Sequence, residues 1–401
     1  MSTVERRRSE RRGTGRRGIT VFELGNRLRE LEVIVCAGSG GVGKTTISAA
    51  LAMAVAAAGD KRVLVLTVDP ARRLATALGL QGLGADPVEV PRQRLRDAGL
   101  PARGHLVAAQ LDMKSAWDRL IERFAPDAKT AQRILANPFY QRISDAFVGS
   151  QEYAAMDTLY ELHQEGEYDC VVVDTPPSRN ALDFLEAPNR LSDYVGARLL
   201  SWLAGPSGIG LRAMNFAAAP FLRLADRLIG GELLAEVSDF VRQLQLLYGG
   251  VQRRARDVYR LLRSPAVGFV VVTTLDAAPF AEAEFFATKL REFSMPLRGV
   301  VVNRVLPDDL RDAGAAQAAM ALEEDPSVVP WLSEHLGYRV APDVAHSVGG
   351  VYQTLHTLAL RDARQLARLQ RLGEVPVSRV PLFTDDDVSE LQGLVRIAGL
   401  L

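Results

Sequence analysis

The chain has 401 residues, 48% of them hydrophobic, and carries 48 basic against 48 acidic side chains. That length and apolar content suffice for a large core in one or two domains, and the balanced charge argues against a body built to coat nucleic acid. Two cysteines, no C-x-x-C pair and no run of 18 apolar residues leave no signal for a disulfide framework, a structural zinc or a membrane-spanning helix.

Residues 1–30 stand apart by composition. In its first 17 residues seven arginines, at 6, 7, 8, 11, 12, 16 and 17, face two glutamates among Ser, Thr and Gly. No apolar run follows them, so the segment reads as a disordered basic tail and not as a signal peptide. Peripheral contact with an anionic membrane is what such a tail suggests. The rest of the chain is expected to be cytoplasmic, with no nucleic-acid partner.

The first predicted strand, residues 33–37, runs directly into Gly38-Ser39-Gly40-Gly41-Val42-Gly43-Lys44-Thr45, and an Ala-rich helix follows over 46–58. This is a complete G-x-x-x-x-G-K-[ST] loop between strand and helix, the context a phosphate-binding loop requires. Glycines let the backbone curl its N–H groups inward around a polyphosphate, and the helix N-terminus adds positive potential. Lys44 is then expected to reach the β- and γ-phosphates, and the Thr45 hydroxyl to ligate Mg²⁺. Gly38, Gly40 and Gly43 also spell a dinucleotide-type G-x-G-x-x-G, which explains neither Lys44-Thr45 nor the acidic strand end further on.

A second strand, 63–68, ends at Asp69, in Asp69-Pro70-Ala71-Arg72-Arg73. Asp69 either orients the water that attacks a γ-phosphate or caps a helix over 70–78, which the following proline also suits. After a strand at 105–111 comes a helical stretch, 115–163, with room for three helices. The strand 170–173 then delivers Asp174-Thr175-Pro176-Pro177-Ser178, the carboxylate that Walker-type NTPases need for the Mg²⁺ water shell. Cys36 and Cys170 each adjoin a central strand and are expected to be buried and reduced.

A second helical stretch covers 188–262. Within it Leu233, Val237, Phe240, Leu244, Leu247 and Val251 recur at helical spacing, while the segment upstream is apolar but broken by Gly and Pro. Strands follow at 267–273, 297–302 and 377–380. Thr274 stands where a guanine-reading motif would carry Lys, and Asn303 ends its strand either as a base-reading carboxamide or as a turn cap. The near-continuous Val/Leu/Ile strands alternate with helices, which predicts an α/β P-loop NTPase with a mostly parallel, doubly wound sheet. One such domain is expected over 31–401, with an inserted helical subdomain built from about 113–165 and 188–262.

Together these segments resemble the arsenite-translocating and tail-anchored-protein-targeting ATPase family, a branch of the deviant-Walker P-loop ATPases. The loop, Asp69-Pro70-Ala71, Asp174-Thr175-Pro176-Pro177-Ser178 and a C-terminal Val380-Pro381-Leu382-Phe383 carry the likeness from about residue 31 onward. The resemblance implies ATP and Mg²⁺ as ligands, with Gly38, Ser39, Gly40, Gly41, Val42, Gly43, Lys44, Thr45 and Thr46 around the phosphates. It makes Asp69 the hydrolytic residue alongside Lys44, puts Thr45, Asp69 and Asp174 at the metal, and gives adenine to Asn303, Pro381, Leu382 and Phe383. It also implies a dimer whose inserted helices bind a hydrophobic client, a membrane-protein segment or a lipid-like molecule.

Three departures qualify the likeness. The family's loop lysine that reaches across a dimer is Ser39 here, which points to a homologous Lys-bearing subunit as partner, with a self-dimer as the alternative. Arg179-Asn180 stands where the family has Gly-His, and neither a zinc Cys pair nor an arsenite-type Cys triad is present. A weakly hydrolysing regulatory or scaffold subunit of a heterodimer and a ParA-like ATPase that positions on DNA or a surface remain the competing classes.

Overall fold

Short Val/Ile/Leu runs that are apolar on both faces can only be stable with helices on either side, and that is how the chain folds. In the computed structural model the described residues are 23–69, 73–101, 103–143, 151–175, 231–323, 327–336, 341–371, 375–383 and 390–401. The strands are β1 (Val33–Ala37), β2 (Arg62–Thr67), β3 (Val88–Glu89), β4 (His105–Gln110), β5 (Cys170–Asp174), β6 (Val267–Thr273), β7 (Leu297–Val305) and β8 (Val377–Pro381). They form one sheet in the order β3-β4-β2-β5-β1-β6-β7-β8, parallel throughout except for the β3–β4 pair. All seven predicted strands are present, with ends shifted by up to three residues. The two-residue β3 was not anticipated, because two exposed residues carry no periodic signal.

Alternation along the strands divides the interior into two cores. Val33, Val35, Val171, Val173, Phe269 and Val271 face one side, where the helices of 113–165 and the Gly231–Leu262 helix pack. Ile34, Cys36, Val172, Val270 and Val272 face the other, against Ile47, Leu51 and Val55 of the Lys44–Ala58 helix and Leu394 and Ile397 of the last helix. Both cysteines are buried and free.

The first helical stretch holds four described helices, not three: Met113–Phe124, Ala128–Leu135, Pro138–Ile143 and Gln151–Glu165. Asp112 and Asp127 cap the first two by accepting from the Lys114 and Thr130 amides, which is how the chain breaks where hydrophobic spacing alone shows no break. The 32-residue Gly231–Leu262 helix crosses them. Gly250 lies so close to Phe124 that a Cβ would overlap its ring, and Tyr140 stacks on Phe240 at 5.8 Å. Tyr140, Phe240 and the sheet valines belong to one apolar cluster, so these helices share a core with the sheet.

Between β7 and β8 lie further helices, Ala313–Met320, Val328–Leu336 and Ala341–Arg371. The basic tail through residue 22 and the stretches 70–72, 176–180 and 188–230 fall outside the described residues. None of the described helices is long and apolar enough to cross a membrane.

Candidate functional site

Parallel pairing brings the C-terminal ends of β1, β2, β5, β6 and β7 to one edge of the sheet. In register, Cys36 lies beside Asp174, Thr67 beside Asp174, and Thr273 beside Val302. The chain leaves β1 for β2 on one side, and β6 later pairs on the other, so β1 is where the winding reverses. Ligand crevices in open α/β sheets form at such a point.

From β1 the backbone enters the glycine loop. A Cβ on Gly38 would overlap the Val272 carbonyl oxygen of β6, so only glycine passes there. Gly43 caps the following helix in the left-handed region (φ +90°), and a Cβ on it would run into the Asn303 carboxamide. Lys44 opens the helix almost fully buried, and its Nζ donates to the Ser39 carbonyl at 2.8 Å. Burial lowers the lysine pKa, while Asp174 and Asp69 pull it back up. Val42 is buried, and Gly41 takes a positive φ of 79°. Ser39 is buried as well, and Thr46 follows Thr45 in the first turn.

Asp174 is the hub of the site, 1% exposed as the last residue of β5. Its Oδ2 accepts from Thr45 Oγ1 at 2.7 Å and from Thr67 Oγ1 at 3.0 Å, and Ser48 Oγ approaches Oδ1 at 3.5 Å. Burial pushes this carboxyl up; the two threonine hydroxyls and Lys44 oppose the rise. β5 runs one residue past the expected end at 173, so the chain leaves the strand at Thr175. There Thr175 donates from both its amide and Oγ1 to the Cys36 carbonyl, tying β5 to the entrance of the glycine loop.

Asp69 sits two residues past β2, its amide donating to Thr67 Oγ1 at 3.2 Å and its carboxylate 3.9 Å from the Arg73 guanidinium. Thr67 therefore touches both acidic positions. Thr45, Asp69 and Asp174 supply one hydroxyl and two carboxylates, an all-oxygen set suited to a hard, hydrated divalent cation. Among the described residues no cluster of three His, Cys, Asp or Glu side chains could hold a metal ion.

β7 runs on to Val305, so Asn303 lies inside the strand and not at its end. Its Nδ2 donates to the Val42 carbonyl at 2.8 Å, and its Oδ1 accepts from the Arg304 amide at 3.0 Å. The carboxamide thus braces the glycine loop, a contact no local pattern announces. Thr274 Oγ1 donates to Asp276 at 3.0 Å. Pro381 ends β8, Leu382 donates its amide to the Val305 carbonyl at 2.9 Å, and the Arg396 guanidinium lies 4.6 Å from the Phe383 ring centre. Residues 381–383 share the sheet edge but stand three strands from β1, about 14 Å at ordinary strand spacing. The glycine loop, Asp69, Asp174 and Asn303 form one connected constellation; residues 381–383 flank it. Thr67, Ser48 and Thr175 were missed in the sequence. A lone hydroxyl at the end of an apolar strand, or four residues after the loop lysine, was the available signal.

The family model described as anion-transporting ATPase matches residues 31–325. The chain is 33% identical over 279 residues to ATPase GET3 of Malassezia globosa, an alignment covering 69% of this chain and 74% of the relative. It is 24% identical over 388 residues to ATPase BagA of Mycobacterium tuberculosis, covering 94% of each. It is also 24% identical over 294 residues to a putative arsenical pump-driving ATPase of Aquifex aeolicus, covering 70% of this chain and 65% of the relative.

Proposed function

The chain belongs to the anion-transporting ATPase family, and from that premise we propose a magnesium-dependent ATPase switch whose nucleotide state controls the helices packed on its sheet. ATP binding and hydrolysis come with the family. The division of labour among the residues is our reading of the geometry.

Loop amides 38–45 and Lys44 hold the β- and γ-phosphates, the lysine exchanging the Ser39 carbonyl for phosphate oxygens. Thr45, Asp174 and Asp69 would hold Mg²⁺, which would supply charge neutralisation on the phosphates. Asp69 aligns a water for in-line attack: an O–P bond forms at the γ-phosphorus as the β–γ bridging bond breaks, giving ADP and inorganic phosphate. Asn303 supports the loop from below and, with residues 381–383, borders the adenine. The single observation that carries this reading is Asp174 Oδ2, shared between Thr45 of the loop and Thr67 of β2. Through Thr67 the loop is coupled to the strand end bearing Asp69, so loss of the γ-phosphate reaches the segments after β2 and β5.

Ser39 cannot neutralise transition-state charge as a lysine does. A homologous Lys-bearing subunit is therefore the preferred partner, with a self-dimer the alternative. The client is an apolar segment or lipid-like molecule taken by the helices that cover the sheet. A regulatory subunit that binds ATP and barely hydrolyses it is the second reading, and Ser39 is what favours it. Single-turnover hydrolysis by the purified chain, alone and with a co-purifying homologue, separates the two. Acceleration of the ATP bound here by a Lys-bearing partner supports the switch; slow turnover unchanged by any partner supports the regulatory subunit. Rapid turnover by the chain alone would remove the need for a lysine from outside.

A further inference from the structure

The last third of the Gly231–Leu262 helix reads Arg253-Arg254-Ala255-Arg256-Asp257-Val258-Tyr259-Arg260-Leu261-Leu262, and Arg263-Ser264 follow. Val251, Ala255, Val258 and Leu262 share its inward face, and all four are buried. Arg253, Arg256, Arg260 and Arg263 recur at three- and four-residue spacing on the opposite face, all exposed. Arg254 points elsewhere and has a structural role, bonded to Asp157 at 2.6 Å and lying 4.1 Å from the Tyr160 ring centre.

Three of the four outer arginines, Arg256, Arg260 and Arg263, line an open concavity of about 740 Å³ with Tyr259, Ser264 and Phe293. Counter-charge is sparse. Asp257 pairs with Arg260 at 3.0 Å, whereas Arg256 donates to the Gln252 carbonyl at 3.4 Å and Arg263 lies 5.4 Å from the Tyr259 ring centre. Among the described residues neither Arg256 nor Arg263 makes an ion pair, and the Ser264 hydroxyl oxygen is buried without a hydrogen-bond partner. Cations near a helix C-terminus are favoured by its dipole, which accounts for Arg260 and Arg263 taken singly. It does not account for their convergence with Arg256 and two aromatic rings. Nor does it explain so few acidic neighbours in a chain whose charges balance 48 to 48.

We propose that this concavity binds a phosphate ester, with guanidinium forks on its oxygens and Tyr259 and Phe293 against its carbon skeleton. The site lies where the helix gives way to β6, at the N-terminal edge of the sheet. The seven residues of β6 separate it from the edge bearing Lys44 by roughly 23 Å. It is thus a second anion site, independent of the nucleotide loop. The phosphate can come from a soluble ester or from a phospholipid headgroup, and the chemistry at the arginines is the same for both.

The test uses the full chain with saturating ADP in the nucleotide loop. Glycerol 3-phosphate is titrated calorimetrically, and binding to phosphatidylcholine vesicles containing phosphatidylglycerol is read by flotation. The variant R256Q/R260Q/R263Q is compared with R6Q/R7Q/R8Q, which removes the same charge from the tail, and with R256K/R260K/R263K, which keeps the charge and loses the forks. The glutamine variant is expected to lose about tenfold or more in affinity relative to the tail variant, with the lysine variant between them. ATP turnover should match wild type. A loss confined to the titration assigns a soluble ester, and a loss in flotation assigns the headgroup. Equal behaviour of the pocket and tail variants in both assays, or no binding by the wild-type chain, overturns the proposal.

Discussion

The Thr45 hydroxyl lies 2.7 Å from Asp174 Oδ2, bridging 129 positions of sequence between the glycine loop and the end of β5. A carboxylate 1% exposed is stable there only because donors surround it. The same bonds hold the first helical turn, β2 and β5 in one geometry at the edge where phosphate chemistry is proposed.

Replacing Asp174 with alanine should therefore harm both stability and activity. The buried Thr67 hydroxyl and the half-buried Thr45 hydroxyl lose their acceptor, at a cost of about 1–3 kcal/mol, and hydrolysis should fall by about a hundredfold or more. Denaturant midpoints and steady-state phosphate release measure the two effects separately. Asp174→Asn, which retains an acceptor oxygen, should recover most of the stability and little of the turnover.

Asp69→Asn should leave ATP binding within a few-fold of wild type, because the carboxylate stands outside the glycine loop, and should slow the chemical step about a hundredfold or more. Labelled-nucleotide binding with single-turnover hydrolysis distinguishes the two. Lys44→Ala should abolish binding instead.

Gly43→Ala combines an unfavourable left-handed φ with collision against the Asn303 carboxamide. Expected are a destabilisation of about 1–3 kcal/mol and loss of nucleotide affinity. Adding Asn303→Ala removes the collision but not the strained backbone, so thermal midpoints of the double variant should recover in part only.

Arg254 and Asp157 form a buried ion pair at 2.6 Å between two helices covering the sheet. Removing the arginine alone, as Arg254→Met, strands a carboxylate and should cost about 3–5 kcal/mol at neutral pH. Burial already pushes the Asp157 carboxyl up, with Arg254 opposing the rise. Without the arginine the folded state takes up a proton more readily than the unfolded chain. The deficit should shrink as pH falls, and Arg254→Met/Asp157→Leu should regain much of the loss.

Burial pushes the Cys36 and Cys170 thiols up to about 12, from 9.0 in the absence of the fold. The folded state therefore holds these protons where the unfolded chain releases them. Their stabilising effect is complete below about pH 9 and is lost as pH rises from there toward 12. Denaturation midpoints should drop between pH 9 and 10.5 and drop less in a Cys36→Ala/Cys170→Ala protein. Alkylation of the native chain should stay slow at pH 8.

The glycine loop, the apolar strands and the carboxylate at Asp174 are legible along the chain because each is a local pattern. A strand covered on both faces must be apolar throughout, a phosphate loop needs glycine and lysine at fixed spacing, and parallel strands put their C-terminal residues at one edge. Residues 33–45 alone predicted a nucleotide loop, and the family match agrees with that reading. What the tertiary structure decided lies between distant segments: Asn303 bracing Val42 across 261 positions, Thr67 joining Asp174 to Asp69, and three arginines meeting Phe293 around one concavity. Such contacts depend on strand order and helix placement. Those are settled by packing two apolar layers against one sheet, a long-range requirement that leaves no period, cap or spacing in the neighbouring residues to announce it.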